Sequence, residues 1–379
     1  MTQILFIHNT AMWYRIPFFR ALDQIYQIEY LFTHMQVSRD IYGLEDHENI
    51  EGMEDINQVI LTNHLGIAWG LIRRAFHRYD VVVGGSWDSI PEILETIYCY
   101  TVAWLRRKPI ILWREDWAWE DTSLKSKLIK PLIKWIVRTS SAIVVPGSKH
   151  QEYFLQLGSH PEKIFIMPNV SNQTLHEDDP QRSEDLKEKL DLEGKKVILY
   201  VGRLIKRKGV QYLLEALSMN HSEDAILLIA GEGDYREELE GMTLELELDD
   251  KVIFTGNVAQ EELNSYYMLS DLVVVPSITY GIGDPWVLVL NEAMYFKNPV
   301  IATDAVGAAS DMIHDGANGF MVPEKDASAL AQCMDKILED DNLAHKMGLE
   351  SYKIIQERFR YVNMVNGFES AVGYSLKKE

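Results

Sequence analysis

The chain has 379 residues, of which 47% are apolar and 25% charged, a size and balance that exclude one small module and a disordered polymer and favour two globular domains. Two cysteines, Cys99 and Cys333, exclude a disulfide framework and a cysteine zinc site, and a net charge of -20 argues against a general nucleic-acid binder. The start MTQILFIHNT lacks the basic region and cleavage site of a signal peptide, and no uncharged apolar run reaches the roughly 18 residues of a membrane span, so a cytoplasmic protein is expected.

Short aliphatic runs alternate with helix-length amphipathic segments, the pattern of parallel strands joined by crossover helices. In chain order the predicted strands of the first half are Ile4 to His8, Ile28 to Phe32, Val81 to Gly85, Pro109 to Trp113, Ala142 to Gly147 and Ile164 to Asn169. A polar, charged stretch from Ser171 to Lys196 then carries no apolar strand and reads as an interdomain linker. A second series follows at Lys196 to Gly202, Ala225 to Gly231, Lys251 to Gly256, Asp271 to Ser277 and Pro299 to Thr303. Nearly pure aliphatic strands imply sheets covered on both faces, hence an α/β fold of two doubly wound, Rossmann-like domains facing across a cleft. The expected boundaries are 1–170, linker 171–196, 197–350, and a helical segment 351–379 that crosses back to the first domain.

VGRLIKRKG, Val201 to Gly209, follows a strand and precedes a helix. Gly202 permits a sharp turn, and Arg203, Lys206, Arg207 and Lys208 put cations where a helix N-terminus already favours anions, a setting for a diphosphate or a solvated basic turn. No GKS or GKT follows and no GxGxxG opens the chain, which weakens nucleotide triphosphatase and dinucleotide readings. Further on, GDPWVLVLNEAMYF places Asp284 before Pro285, the pattern of an N-cap and first helical residue. Glu292 then falls about 12 Å further along the same helix face, so the two carboxylates form a ladder able to span a sugar nucleotide.

The series VGRLIKRKG, LLIAGEGDYREELE, VIFTGNVAQEELNSYYMLSDLVVVPS, the carboxylate motif and NGFMVPEKDASALAQCM, together with PNVSN in the first half, resembles glycosyltransferase family 4, retaining enzymes of the GT-B fold that use nucleotide-diphosphate sugars. The resemblance covers nearly all of residues 196 to 340. It implies that Gly202, Arg203 and Lys208 meet the donor diphosphate and that Glu292 holds the ribose. Asp284 stands where the family has the first glutamate of its E-x7-E pair, and Pro285, Trp286 and Val287 replace its GFG; with no N–H on Pro285, Trp286, Val287 and Leu288 are the backbone donors expected. It also implies a bacterial-type polysaccharide or glycoconjugate pathway, a glycan or lipid-linked acceptor, no metal cofactor, no nucleic-acid partner, and domain closure about residues 171–196.

On the acceptor side, Glu115 and Asp116 of WREDWAWED follow a strand and are candidate catalytic groups, or else a helix-start acid and a partner for Arg114. His8, Asn9, Tyr14, Arg15, Ser86, Trp87 and Asp88 are further candidates for the cleft wall. The Asp-Asp pairs at 178, 249 and 340 read as solvated loops. Two other readings share the fold: a sugar-nucleotide isomerase or phosphorylase, and a non-catalytic nucleotide-sugar-binding subunit.

Arg106 to Arg138 holds nine basic and four acidic residues. Within it, Leu124 to Arg138 sets Lys127, Lys130, Lys134 and Arg138 in one helical stripe, with Leu128, Ile129, Leu132, Trp135 and Ile136 largely elsewhere around the helix. It is either the solvated face of a crossover helix or a weak contact to the inner face of an anionic membrane.

Overall fold

The computed structural model describes residues 1–35, 52–64, 66–118, 124–172 and 179–377. The chain divides into two units, Met1–Asn172 with Tyr361–Glu379, and Gln173–Arg360.

In the first unit, β1 (Gln3–His8), α1 (Ile16–Asp23), β2 (Gln27–Phe32) and β3 (Gln58–Ile60) precede a small hairpin of β4 (Asn63–His64) and β5 (Ile67–Ala68). There follow α2 (Gly70–Arg74), β6 (Val81–Val83), α3 (Ile90–Leu105), β7 (Ile110–Trp113), α4 (Leu124–Thr139), β8 (Ala142–Val145), α5 (Ser148–Gln156) and β9 (Ile164–Ile166). The parallel sheet runs β3-β2-β1-β6-β7-β8-β9. Alternation along each strand sorts its side chains into two cores. Leu5, Val82 and Leu112 face α2, α3 and α4, whereas Phe6, Val83 and Trp113 face α1 and the last helix of the chain.

The second unit begins with α6 (Pro180–Lys189), then β10 (Lys196–Val201), α7 (Val210–Met219), β11 (Ala225–Ala230), α8 (Arg236–Glu245), β12 (Val252–Gly256), α9 (Gln260–Leu269) and β13 (Leu272–Val275). It continues through α10 (Leu288–Tyr295), β14 (Val300–Thr303), α11 (Ala309–Met312), β15 (Gly319–Val322), α12 (Ala327–Leu338) and α13 (Asp341–Arg358). Its parallel sheet has the order β12-β11-β10-β13-β14-β15. The chain then returns to the first unit as α14 (Tyr361–Lys377), which buries Met364, Phe368, Ala371 and Val372 on that sheet.

Four readings change. The stretch read as a linker contains α6: Asp179 caps it by accepting from the Gln181 and Arg182 amides, Ser183 donates to the Ser265 carbonyl at 3.4 Å, and Leu186 and Leu190 pack on the second core. Its residues 173–178, and with them Asp178, lie outside the described residues, as do 119–123 of the WREDWAWED stretch. Asp340 is no solvated loop residue but the cap of α13, taking the Asn342 and Leu343 amides at 3.0 Å. The predicted final helical segment is two helices, α13 in the second unit and α14 in the first. On α4, Ile133, Ile136 and Val137 are buried on the sheet, yet the basic stripe is not uniform: Lys127 and Arg138 are exposed, Lys130 and Lys134 half-buried, and Leu132 and Trp135 share the outer surface. The Leu128 side chain lies outside the described residues. No helix among the described residues is long and apolar enough to cross a membrane.

Candidate functional site

In each sheet the strand order reverses once, between β1 and β6 and between β10 and β13, and loops leaving the carboxyl ends there diverge to leave a crevice. In the second unit the loop after β10 is Gly202 to Gly209. Two glycines clamp it. A Cβ on Gly231 would lie 1.9 Å from the Gly202 carbonyl oxygen, and one on Gly209, at φ 70°, 1.9 Å from that of Pro276. The Leu204 amide donates to the Glu232 carbonyl at 2.8 Å, and the Tyr200 hydroxyl holds the Arg203 carbonyl at 3.0 Å. The loop is thus fixed by backbone contacts, which leaves its side chains to a ligand. Arg203 is exposed, and Lys206 lies over the Tyr235 ring at 5.5 Å.

Lys208 and Arg207 turn toward Asp284. Lys208 Nζ is 2.5 Å from Oδ2, Arg207 Nη1 is 3.2 Å from Oδ1, and the Ser277 hydroxyl donates to Oδ2 at 3.2 Å. Asp284 is 5% exposed. Burial pushes its carboxyl up, but Lys208 and then Arg207 outweigh burial and hold it below the ordinary aspartate value. This corrects the cap reading. Asp284 pairs by backbone with Ala305 and Gly307, and the helix starts only at Leu288, with Val287 as its N-cap. Only Glu292 lies on α10, so the two-carboxylate ladder along one helix does not exist. A long-range ion pair outcompeted the local Asp-Pro signal.

Of the three expected backbone donors, only Leu288 is in the first turn of α10, a turn with neither an acidic residue nor a side-chain cap. Trp286 is buried and donates through Nε1 to Asn291 Oδ1 at 3.1 Å, and Val287 accepts the Leu290 amide. Glu292 is buried, and the Tyr267 hydroxyl donates to its Oε2 at 2.7 Å. Burial, and then the Glu292 charge, drive the Tyr267 hydroxyl well above its usual range, so it stays a donor and Glu292 an acceptor.

The first unit gathers a different set at its own reversal point. Arg114, buried after β7, reaches Asp116 and Asp88 at 2.6 Å each and the Ser86 hydroxyl at 3.1 Å, and lies over the Trp87 ring at 4.5 Å. Burial lowers the Arg114 pKa, but Asp116 and Asp88 overcome it and raise it well above normal, while Asp88 is held below the ordinary aspartate value because Arg114 outweighs burial. Glu115 pairs with Arg15, whose Nη1 donates to His8 Nε2 at 2.8 Å. His8 therefore accepts and is neutral, its pKa lowered by burial and then by Arg15. The Asn9 carbonyl accepts the His34 amide at 2.8 Å and the Tyr14 carbonyl the Tyr361 hydroxyl at 2.6 Å, so these two act here as backbone anchors. Beside this network a space of about 60 Å³, lined by His8, Ser86, Glu92, Glu95, Thr96 and Arg114, has room for waters but not for a pyranose ring.

Residues 181–354 match the family model described as Glycosyl transferases group 1. The match starts in α6 and stops in α13, so it is contained in the second unit. The alpha-D-kanosaminyltransferase of Streptomyces kanamyceticus is 28% identical over 234 residues, 60% of this chain and 59% of that protein. The GDP-mannose-dependent alpha-(1-6)-phosphatidylinositol monomannoside mannosyltransferase of Mycolicibacterium smegmatis is 30% identical over 176 residues, 45% of this chain and 46% of that one. The chain thus spans about half the length of the curated relatives it matches. Among solved structures, Anabaena Alr3699/HepE in complex with UDP aligns over 98% of this chain and 100% of its own, with a TM-score of 0.80 at 18% identity. The chain has the GT-B fold.

Within this GT-B chain, sequence reasoning named Gly202, Arg203, Lys208, Asp284 and Glu292, and the structure brings Lys208 and Asp284 into contact. It missed Ser277 and Tyr267, which fix the two carboxylates. Ser277 carried a weak signal as the polar residue ending a strand; Tyr267, on a helix of mixed character, carried none.

Proposed function

We propose that the chain is a retaining, hexosyltransferase-type glycosyltransferase that moves a sugar from a nucleotide-diphosphate sugar to a glycan or lipid-linked acceptor in polysaccharide or glycoconjugate synthesis. The observation that carries this reading is the convergence of Lys208 and Arg207 on Asp284 in a loop fixed by its backbone at the strand-order reversal. Such a site holds excess positive charge for a diphosphate. The match to the glycosyl transferases group 1 model and the UDP held by Alr3699/HepE support it.

In the reaction, the bond from the anomeric carbon to the diphosphate oxygen breaks through an oxocarbenium-like state, and negative charge grows on the departing diphosphate. Arg203, Lys208 and the first-turn amides of α10 stabilise that charge without a divalent ion. Glu292, kept an acceptor by Tyr267, takes the ribose hydroxyls. Asp284 positions Lys208 and meets the donor sugar. The acceptor oxygen bonds to the anomeric carbon on the face the diphosphate leaves, and a diphosphate oxygen takes its proton. Glu115 and Asp116, with the Arg114 network, orient the acceptor. A lipid-linked acceptor places the protein peripherally at the inner face of a membrane.

A thermal-shift screen of nucleotide-diphosphate sugars tests this, since a donor at 100 times its Kd adds about 2.7 kcal/mol of stability. Anomeric configuration of the product, read by NMR, tests retention. Conversion of donor in the absence of acceptor, or donor binding without turnover on any acceptor, overturns the proposal.

A further inference from the structure

The outer faces of α2 and α3 are apolar and uncovered. On α3, Ile90, Leu94, Tyr98, Thr101 and Leu105 follow helical spacing along the solvent side, and the only charges of the helix, Glu92 and Glu95, are turned into the protein. On α2 and the turn after it, Trp69, Ile72 and Phe76 form a parallel row. Phe76 is 62% exposed, Trp104 71% and Leu105 68%, values that belong to a surface awaiting a partner and not to a core. The two rows are fixed side by side. Arg106 donates to the Ala75 and His77 carbonyls at 3.2 and 2.8 Å, and the Tyr98 hydroxyl to the Ile72 carbonyl at 2.9 Å.

Exposed cations rim this face: Arg73, Arg78 and Arg107, with Lys127 and Arg138 beside Trp135 on the neighbouring α4. We infer that this face docks the first unit on an anionic bilayer, aromatic and aliphatic side chains entering the headgroup boundary and the cations meeting lipid phosphates. Charge complementarity selects that occupant. The cations stand out in a chain of net charge -20, and a second copy packed isologously on the same face would bring like-charged rims together. This deepens the lipid-linked-acceptor reading by naming the surface that reaches the lipid, and it differs from the stripe on α4 that the sequence pointed to.

Cosedimentation of the full chain with vesicles of equimolar phosphatidylglycerol and phosphatidylcholine, and of phosphatidylcholine alone, tests it. The wild type binds the anionic vesicles and hardly the neutral ones. The pair Phe76→Ser, Trp104→Ser lowers that binding by about tenfold or more, and Leu244→Ser, at an equally exposed position on α8, leaves it unchanged. Absence of anionic-vesicle binding, or equal binding by the double variant, overturns the inference, as does a dimer in solution that the same pair dissociates. Donor thermal shifts on the same preparations keep the two readings apart. Donor binding without vesicle binding removes only the docking surface; vesicle binding with no donor shift removes only the transferase.

Discussion

Where its strand order reverses, the first unit sets Arg114 between Asp88 and Asp116, one cation to two carboxylates. At the same place in its own sheet the second unit sets Asp284 between Lys208 and Arg207, one carboxylate to two cations. Both groups are buried enough for charge to matter, so a shared topology presents opposite excess charge. An anionic diphosphate belongs with the second; the first suits a neutral, hydroxyl-bearing acceptor or a centre gaining positive charge.

The hardest test of that contrast is Arg114→Met, which leaves two carboxylates facing each other. Loss of a buried cation of this kind costs about 3 to 5 kcal/mol, read as an earlier urea transition; an unchanged transition would mean that water, not Arg114, balances the pair. Lys208→Ala comes next, with about 2 to 4 kcal/mol lost from transition-state stabilisation in kcat/KM. Because Asp284 also loses its nearest cation, stability falls as well, and adding Asp284→Asn restores stability but not turnover. Recovery of turnover in that double variant would show that Lys208 serves the fold alone. Tyr267→Phe removes one bond to the Glu292 carboxylate and costs about 1.5 to 3 kcal/mol; a donor Kd that stays put would separate Glu292 from the ribose.

The smallest effects are in the pH dependence, and each unit contributes one of opposite sign. Asp284 titrates below its unfolded value, so its stabilisation is present above about pH 4 and is lost as pH falls through its folded value. His34 goes the other way. Burial lowers its pKa, but the hydrogen bond and charge of Glu95, with Glu92, raise it overall, so its stabilisation is present below about pH 6.5 and fades as pH rises past that. Asp284→Asn flattens only the acid limb of Tm against pH, and His34→Gln only the limb above neutrality. If either substitution alters both limbs, the two groups are not independent.

The second unit was the more legible because its basic loop is contiguous. Val201 to Gly209 carries strand end, turn and cations together, and no distant partner was needed to see a phosphate site. Asp284 misled because its local signal is a good cap while the cation that claims it lies 76 residues away. In the first unit Arg15 meets Glu115 across 100 residues, which no spacing rule reaches. Short edge strands escaped for another reason: β3 has three residues, and the four of β15 follow an Asn-Gly that reads as a turn. The outer face of α3 was invisible because an apolar helix face has the same sequence whether it is covered or bare.

The return of the chain at Tyr361 has a consequence for synthesis. Met364, Phe368, Ala371 and Val372 belong to the core under β1, β6 and β7, so that core cannot close until α14 has left the ribosome. By then all of Gln173–Arg360 has been made and can fold by itself. The unit that begins the chain is therefore the last to be finished, and during translation its sheet waits with one apolar face open.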